Sequence, residues 1–226
     1  MLQELTTSNR SGVRRLGFSS KIWKCLERSD RQKFSIHRPS SDELDQMLAV
    51  ARNSMMLADS GIIRGIIAAN PDSVRISSQP GAAQEDRGIV ALLPLNTEGT
   101  DAIINGRFNS AAPDTTWISD PGEQPSAIYV WLIYMPGSFG RMLTAFADAL
   151  EPFLQTPIPV FSKAVSAHSR RLQQTSGFID AQSIYPSCSS DLLVVLPERL
   201  EPAPKAKCEV TVEQRTRTVK RTAILA

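Results

Sequence analysis

SAIYVWLIY, residues 126–134, is an unbroken apolar run, and MPGSFG, residues 135–140, follows it directly. The run is too short to span a membrane and is rich in β-branched and aromatic residues, so it predicts a strand buried on both faces. The next segment predicts a helix, because its apolar residues recur at spacings of three and four and form one core-facing stripe. That stripe consists of Phe139, Met142, Leu143, Phe146 and Leu150.

A second strand and a second helix follow this pair. PVFSKAV, residues 159–165, predicts another apolar strand, and AHSRRLQQTSGF, residues 167–178, predicts a short basic helix that ends at Gly177. Together the four segments predict a βαβα unit. The glycine-containing turn at 135–140 would present free backbone N–H groups and a helix N-terminus, an arrangement suited to binding a phosphate.

In the rest of the chain, alternation of apolar and polar residues predicts strands, and apolar stripes with capping residues predict helices. Pro94 predicts a sheet edge or a bulge near its position, because proline cannot donate a ladder hydrogen bond. Residues 97–124 are punctuated by Gly and Pro and are predicted to be irregular. The other predicted elements are a short helix at 21–28, a strand at 33–38, a helix after Pro39 capped by Ser40 or Ser41, a helix at 61–70, and strands at 73–77, 88–96 and 191–196.

Composition indicates an ordinary globular protein. The 226 residues are 42% hydrophobic and 21% charged, which is enough to bury a substantial core. We expect no membrane span, because no stretch of eighteen apolar residues occurs. The first twenty residues lack the apolar segment of a secretory signal, and three widely spaced cysteines fit neither a disulfide framework nor a zinc site. A cytoplasmic protein is therefore expected.

The net charge of +2 is unevenly distributed, and this divides the chain. Residues 1–38 hold nine Lys or Arg against three Asp or Glu, residues 199–226 hold seven against three, and the middle is acidic. We expect a basic N-terminal extension at 1–32, one domain at 33–198, and a basic C-terminal extension at 199–226 with a possible extra strand at 208–213. The extensions could pair with the acidic body, within one molecule or in a homodimer. Nucleic acid is a weaker alternative, because aromatic residues do not alternate with the basic ones.

The order of elements over residues 34–196 resembles the GNAT superfamily of acyl-CoA-dependent N-acyltransferases. The resemblance implies an α+β fold (a three-layer α/β arrangement) with a mixed, mostly antiparallel, twisted sheet flanked by helices. It also implies acetyl-CoA or another acyl-CoA as a substrate and a small-molecule or peptide amine as the acceptor. The alternative is a GNAT-like domain without catalysis that binds a ligand or a protein partner.

Two local patterns carry the resemblance. The family binds the coenzyme pyrophosphate with a Gln/Arg-x-x-Gly-x-Gly/Ala turn, in whose places this chain has Met135, Ser138 and Gly140. The family also has a helix that ends in Gly-Phe, where an Asn and a Tyr are replaced here by Ser166 and Gln173. The resemblance implies cofactor binding by Ile133, Tyr134, Gly137, Ser138, Phe139, Gly140 and Arg141, and it leaves the catalytic residues unassigned.

Other residues are weighed as site candidates on their chemistry. Tyr129 and Tyr134 are five apart on one strand and are predicted to point to opposite faces. His37 and His168 could act as bases, although exposed structural roles are the stronger interpretation for both. The resemblance implies Glu98 or Asp101, in the loop after the strand at 88–96, as a possible base for the attacking amine, and Arg170 and Arg171 could meet the coenzyme phosphates. Cys188 lacks the neighbours that a nucleophile needs. No metal-binding motif occurs, so no metal is expected.

Overall fold

The computed structural model describes residues 16–20, 22, 24, 35–53, 57–79, 81, 83, 86–136 and 139–197. These residues form seven strands and five α-helices. In chain order the elements are β1 (Ser35–His37), α1 (Ser41–Arg52), α2 (Ser60–Ala69), β2 (Val74–Ser78), β3 (Gly88–Leu95), α3 (Thr97–Ile104), β4 (Ala127–Tyr134), α4 (Phe139–Leu150), β5 (Val160–Lys163), α5 (Ala167–Thr175), β6 (Ile179–Asp180) and β7 (Leu192–Val195).

All seven strands belong to one sheet with the order β1-β2-β3-β4-β5-β7-β6. Every neighbouring pair is antiparallel except β4 and β5, which are parallel and are joined through α4. The parallel pair confirms the predicted strand–helix–strand unit, because a parallel connection requires a crossover of this kind. The predicted mixed, mostly antiparallel sheet is thus confirmed. Separately, no helix in the described ranges is long and apolar enough to cross a bilayer.

Both faces of the sheet are covered. Alternate residues of β3 divide between the faces: Val90 and Leu92 pack with α4, whereas Ile89 and Ala91 pack with α1 and α2. The stripe of α4 contributes Leu143, Phe146 and Leu150 to the first face, as predicted. Each such side chain contributes roughly 1.5–3 kcal/mol when it is fully buried, so this contact fixes α4 against β3 and β4.

The helix caps follow the predicted chemistry for α1, and the structure adds a helix that the sequence patterns missed. Ser40 caps α1 by accepting a hydrogen bond from the Glu43 N–H.

The expectation of irregular structure after residue 96 is wrong at its start, where Thr97–Ile104 form α3. The Asn96 side chain caps this helix by accepting from the Gly99 N–H at 2.9 Å. Such a cap stabilises a helix by about 1 kcal/mol.

Pro94 lies where β3 has a strand on one side only. β2 begins opposite Ala91, so the last residues of β3 have β4 on one side and, on the other, an isolated bridge from Leu95 to Ile118 in place of a strand. The Pro94 carbonyl accepts a hydrogen bond from the Ser119 N–H at 2.8 Å. The absent N–H of proline therefore costs no ladder bond to β2. The prediction of a sheet edge or a bulge near Pro94 is confirmed, because β2 does not extend this far and the β3–β4 register shifts between Ala91 and Leu92.

A segment upstream of β1 belongs to the core. Leu16, Phe18 and Ile22 are buried with α4 and with Phe178, although they fall in the stretch assigned to the N-terminal extension. The backbone at 16–19 lies between two elements, because the Gly17 N–H donates to the Leu196 carbonyl and the Ser19 N–H donates to the Ser176 carbonyl. The rest of that extension, the 199–226 extension and its possible strand at 208–213 lie outside the described residues.

Candidate functional site

The sheet opens between its two parallel strands. β4 and β5 pair over three positions, from Ile128 opposite Val160 to Val130 opposite Ser162, and then the pairing ends. β4 continues to Tyr134 with β3 as its partner. The first three residues of β4 are buried and the remaining five are only half-buried. The second half of β4 therefore presents one edge to a gap rather than to a neighbouring strand.

A β-bulge lies at the start of this gap. Leu132 is opposite Ala91 and Val130 is opposite Leu92, so Trp131 is an extra residue on β4. Tyr129 pairs with Leu93 and Tyr134 pairs with Ile89, and both partners face the α1/α2 side. The expectation that the two tyrosines point to opposite faces is therefore wrong, because the extra residue shifts the alternation by one.

The first cavity occupies ≈ 290 Å³ on the α4 face of the sheet. β4, α4, α5 and the segment with Phe18 line it, and its walls are mostly apolar. Its polar groups lie on the side of β5 and α5: Ser162, Lys163, Ser169, Gln173 and Ser176. A cavity with apolar walls and a few grouped polar side chains is typical of a small-molecule site.

The second cavity occupies ≈ 270 Å³ on the α1/α2 face. It is lined by apolar residues of α1, α2, β2 and β3, together with Ser110 and Tyr129. The two cavities share the five lining residues Val130, Trp131, Leu132, Lys163 and Val165. They therefore lie back to back and meet at the gap between β4 and β5.

Lys163 is the charged group at this junction. Among the described residues that line either cavity, no other side chain is charged. Its Nζ lies 2.8 Å from Oδ2 of Asp191, which does not line the cavities. Burial by itself would raise the pKa of Asp191, but hydrogen bonds from Lys163 and Ser189 outweigh it and hold the pKa below its usual value. No sequence motif marks Lys163 as a site residue, and its only sign in the sequence is a lone cation at the end of an apolar strand.

A polar pair projects into the first cavity from β5 and α5. The Gln173 Nε2 donates to the Oγ of buried Ser162 at 3.0 Å. The Gln173 Oε1 is buried and has no hydrogen-bond partner among the described atoms. An amide with one unused position in an apolar cavity favours a ligand that brings its own donor, because a buried unpaired oxygen costs roughly 1–3 kcal/mol.

The sequence-predicted cofactor residues separate in the structure. Ile133 lines the first cavity, whereas Tyr134 packs on the opposite face and lines neither. Phe139 and Gly140 begin α4. Arg141 donates from Nη2 to the Asp86 carbonyl at 2.9 Å, which directs it toward the loop before β3. Gly137 and Ser138 lie outside the described residues, so the geometry of that turn stays a prediction.

The other candidate residues lie away from the junction. His37 in edge strand β1 contacts Glu43 at 3.0 Å, and His168 is exposed on α5. Arg170 pairs with Asp180 and also donates to the Ser190 carbonyl. Glu98 and Asp101 are in helix α3, not in the predicted loop. Burial raises the pKa of the Cys188 thiol, which disfavours a thiolate nucleophile there.

Comparison of the chain with protein-family models, with curated proteins and with solved structures finds no match. The site is therefore interpreted from its own geometry.

Tyr129 gives the second cavity a measurable pH signature. Burial raises the pKa of Tyr129 to about 12, and a hydrogen bond with Ser110 offsets only part of that rise. An unfolded tyrosine has a pKa near 10, so the stabilising contribution is full below pH ~10 and is lost as pH rises toward 12. We expect the wild type to lose about 2–3 kcal/mol of unfolding free energy over this range relative to Tyr129→Phe. Urea unfolding of both proteins at pH 9, 10 and 11 covers about half of this loss, roughly 1.4 kcal/mol, and equal pH dependences of the two proteins would contradict a buried Tyr129 hydroxyl.

Proposed function

We propose that the protein is an acyl-CoA-dependent N-acyltransferase of the GNAT type, with acetyl-CoA as the first acyl donor to test. The carrying observation is the pair of cavities that meet from opposite faces between the only parallel strands of the described sheet. A transfer between two bound substrates needs such a junction, because both reacting groups must be held in contact while the rest of each molecule lies apart. The order of elements on which the resemblance rests also supports the proposal.

The open edge of β4 suits the donor in this proposal. An extended arm with amide groups can add to an exposed strand through backbone hydrogen bonds, and residues 131–134 have no strand beside them on the gap side. The phosphates of the same donor would meet the turn at 135–140 and the first turn of α4. The thioester carbonyl would then lie near the bulge at Trp131, where one backbone unit falls outside the β3 ladder.

The proposed reaction relies on positioning and electrostatic polarisation. A neutral amine attacks the thioester carbonyl, the C–N bond forms, the C–S bond breaks, and one amine proton passes through water to the departing thiolate. Gln173 takes the place of the family's tyrosine, and its amide cannot supply that proton at neutral pH. Because general acid catalysis accelerates a reaction about 10²–10⁴-fold, the absence of the family's proton donor predicts a slow enzyme.

The second candidate is a GNAT-like domain that binds acyl-CoA or another ligand without catalysis. Two observations favour it: the Gln173 substitution, and the fact that no carboxylate lines the described part of either cavity to serve as a base. A cytoplasmic location and self-association through the basic extensions belong to both candidates as proposals. If the second candidate binds acyl-CoA, the two differ only in turnover, so binding has to be measured first and acyl transfer second.

Thermal unfolding with and without acetyl-CoA tests the proposal. At a hundredfold excess over its dissociation constant a ligand stabilises the folded state by about 2.7 kcal/mol, which for this chain length is a shift of roughly 5–10 °C. We expect such a shift with acetyl-CoA and none with adenosine alone. Release of free thiol in the presence of amines then separates an enzyme from a binding domain. Absence of any shift with acetyl-CoA and with longer acyl-CoAs would overturn the acyltransferase and leave only a domain that binds another ligand.

A further inference from the structure

The second cavity restricts the chemistry of what it can hold. Its walls come from Leu48, Ile63, Val74 and Ile89 and from other apolar residues of α1, α2, β2 and β3. Its volume lies near the lower end of the ~300–1,000 Å³ usual for small-molecule sites, so the body of one small ligand fits and a folded peptide does not. The body of the ligand must therefore be small and apolar.

The charge at the mouth of this cavity restricts the ligand further. Lys163 is the charged side chain shared by both linings, and no carboxylate lines the described walls of the second cavity. An ammonium has three donors, and the contact with Asp191 uses one of them. Two donors therefore remain for a ligand at the junction. A cationic acceptor such as a polyamine would find no carboxylate in the described lining, and the Asp191 carboxylate beside Lys163 is already paired with it.

We propose that the second cavity takes a ligand with an apolar body and a carboxylate, and that Lys163 binds this carboxylate. One consequence rests on the proposed function: if the protein is an N-acyltransferase, this ligand is the acceptor of the acyl group and is an apolar α-amino acid. The amine of such a ligand lies one carbon from its carboxylate, so a carboxylate held by Lys163 places the amine at the junction of the cavities. Asp191 keeps Lys163 in place from outside the cavities through its contact at 2.8 Å.

Two probes of matched shape separate the carboxylate from the amine without needing catalysis. 4-Methylpentanoate carries the apolar body and the carboxylate, and 3-methylbutylamine carries a similar body and an amine. We expect the wild type to bind 4-methylpentanoate and to bind 3-methylbutylamine at least ten times more weakly, as measured by titration calorimetry or by ligand-observed NMR. Equal binding of the probes, or tighter binding of the amine, would overturn the proposal.

Variants of Lys163 connect this selectivity to the side chain. Lys163→Met keeps the length of the side chain and removes its charge. We expect it to weaken the binding of 4-methylpentanoate on the order of 10- to 100-fold, the effect of losing a hydrogen bond to a charged group. Lys163→Arg keeps the charge and should retain most of the affinity. Unchanged affinity in a folded Lys163→Met, with the wild-type melting temperature as the check on folding, would overturn the assignment.

A parallel titration with acetyl-CoA separates the two claims. A wild type that responds to acetyl-CoA but shows no preference for the carboxylate overturns this inference and leaves the proposed function standing. A wild type that binds 4-methylpentanoate through Lys163 but ignores acetyl-CoA supports the site and removes the acyltransferase. Thiol release that is faster with leucine than with 3-methylbutylamine, and that loses this preference in Lys163→Met, supports both.

Discussion

Replacement of Gly177 by alanine is expected to destabilise the protein by about 3 kcal/mol or more, the largest loss that we expect from adding a single methyl group. Gly177 follows α5 with φ at 109°, a backbone conformation that costs an L-residue on the order of 1–2 kcal/mol. A Cβ at this position would also lie 2.5 Å from the Gly17 carbonyl oxygen and 3.0 Å from the Phe18 Cα. Both neighbours are backbone atoms, so the clash cannot be relieved by turning a side chain.

The consequence extends beyond the end of α5. The segment at 16–19 is held by the Ser19 N–H, which donates to the Ser176 carbonyl at 3.0 Å, and by the Ser19 hydroxyl, which donates to the Thr175 carbonyl. Phe18 packs between Phe146 of α4 and Phe178, with ring centroids 6.2 and 6.0 Å away. Displacing the segment to admit a Cβ would therefore also loosen the packing around the first cavity.

Gly122→Ala is the matched control, since Gly122 has φ at 86° but no atom within 4 Å of a built Cβ. It carries the conformational cost without the clash. Urea unfolding of the wild type and both variants gives the comparison, and we expect Gly177→Ala to lose at least 1–2 kcal/mol more than Gly122→Ala. Equal losses would mean that the 16–19 segment does not pack against Gly177 as described.

The sequence predicted the framework because long amphipathic segments carry their own signal. The α4 stripe of Leu143, Phe146 and Leu150 repeats over two turns, and the Ser40 cap marks the start of α1. Short elements carry little signal: α3 has eight residues and includes Gly99, and β6 has two residues. Asn96 was the available sign of α3, because its side chain caps the helix that follows.

The candidate site was predicted less well, since its geometry depends on where pairing ends. Nothing in the local sequence of β5 states that its pairing with β4 stops at Ser162, and this end creates the gap. The bulge at Trp131 has no glycine to mark it, yet it decides which face receives Tyr134. Lys163 is distinguished only by its position, because it lines both cavities. Contacts between distant strands, rather than any local motif, assemble this site.

Gly140→Asp is the functional change with the largest expected effect, namely loss of the acetyl-CoA response. Gly140 lies in the first turn of α4, where the proposed function places the coenzyme phosphates. A carboxylate there should not harm folding, because an acidic residue suits a helix N-terminus and glycine is a poor helix former. A like charge about 4 Å from a phosphate costs between roughly 1 kcal/mol in water and 4 kcal/mol near a protein surface. At the same ligand concentration the expected Tm shift of roughly 5–10 °C therefore falls to about two thirds of that size for a cost of 1 kcal/mol and to near zero for a cost of 4 kcal/mol.

Gly140→Asn isolates the charge, because asparagine has nearly the shape of aspartate and no net charge. If phosphate repulsion is the cause, the asparagine variant keeps most of the acetyl-CoA response and the aspartate variant loses it. Equal loss in both would assign the effect to the bulk of a side chain at this turn. A folded Gly140→Asp protein that responds to acetyl-CoA as the wild type does would remove both the turn at 135–140 and the first turn of α4 from the site. The donor would then have to bind through the open edge of β4 alone, and its affinity would depend little on its phosphates and on salt.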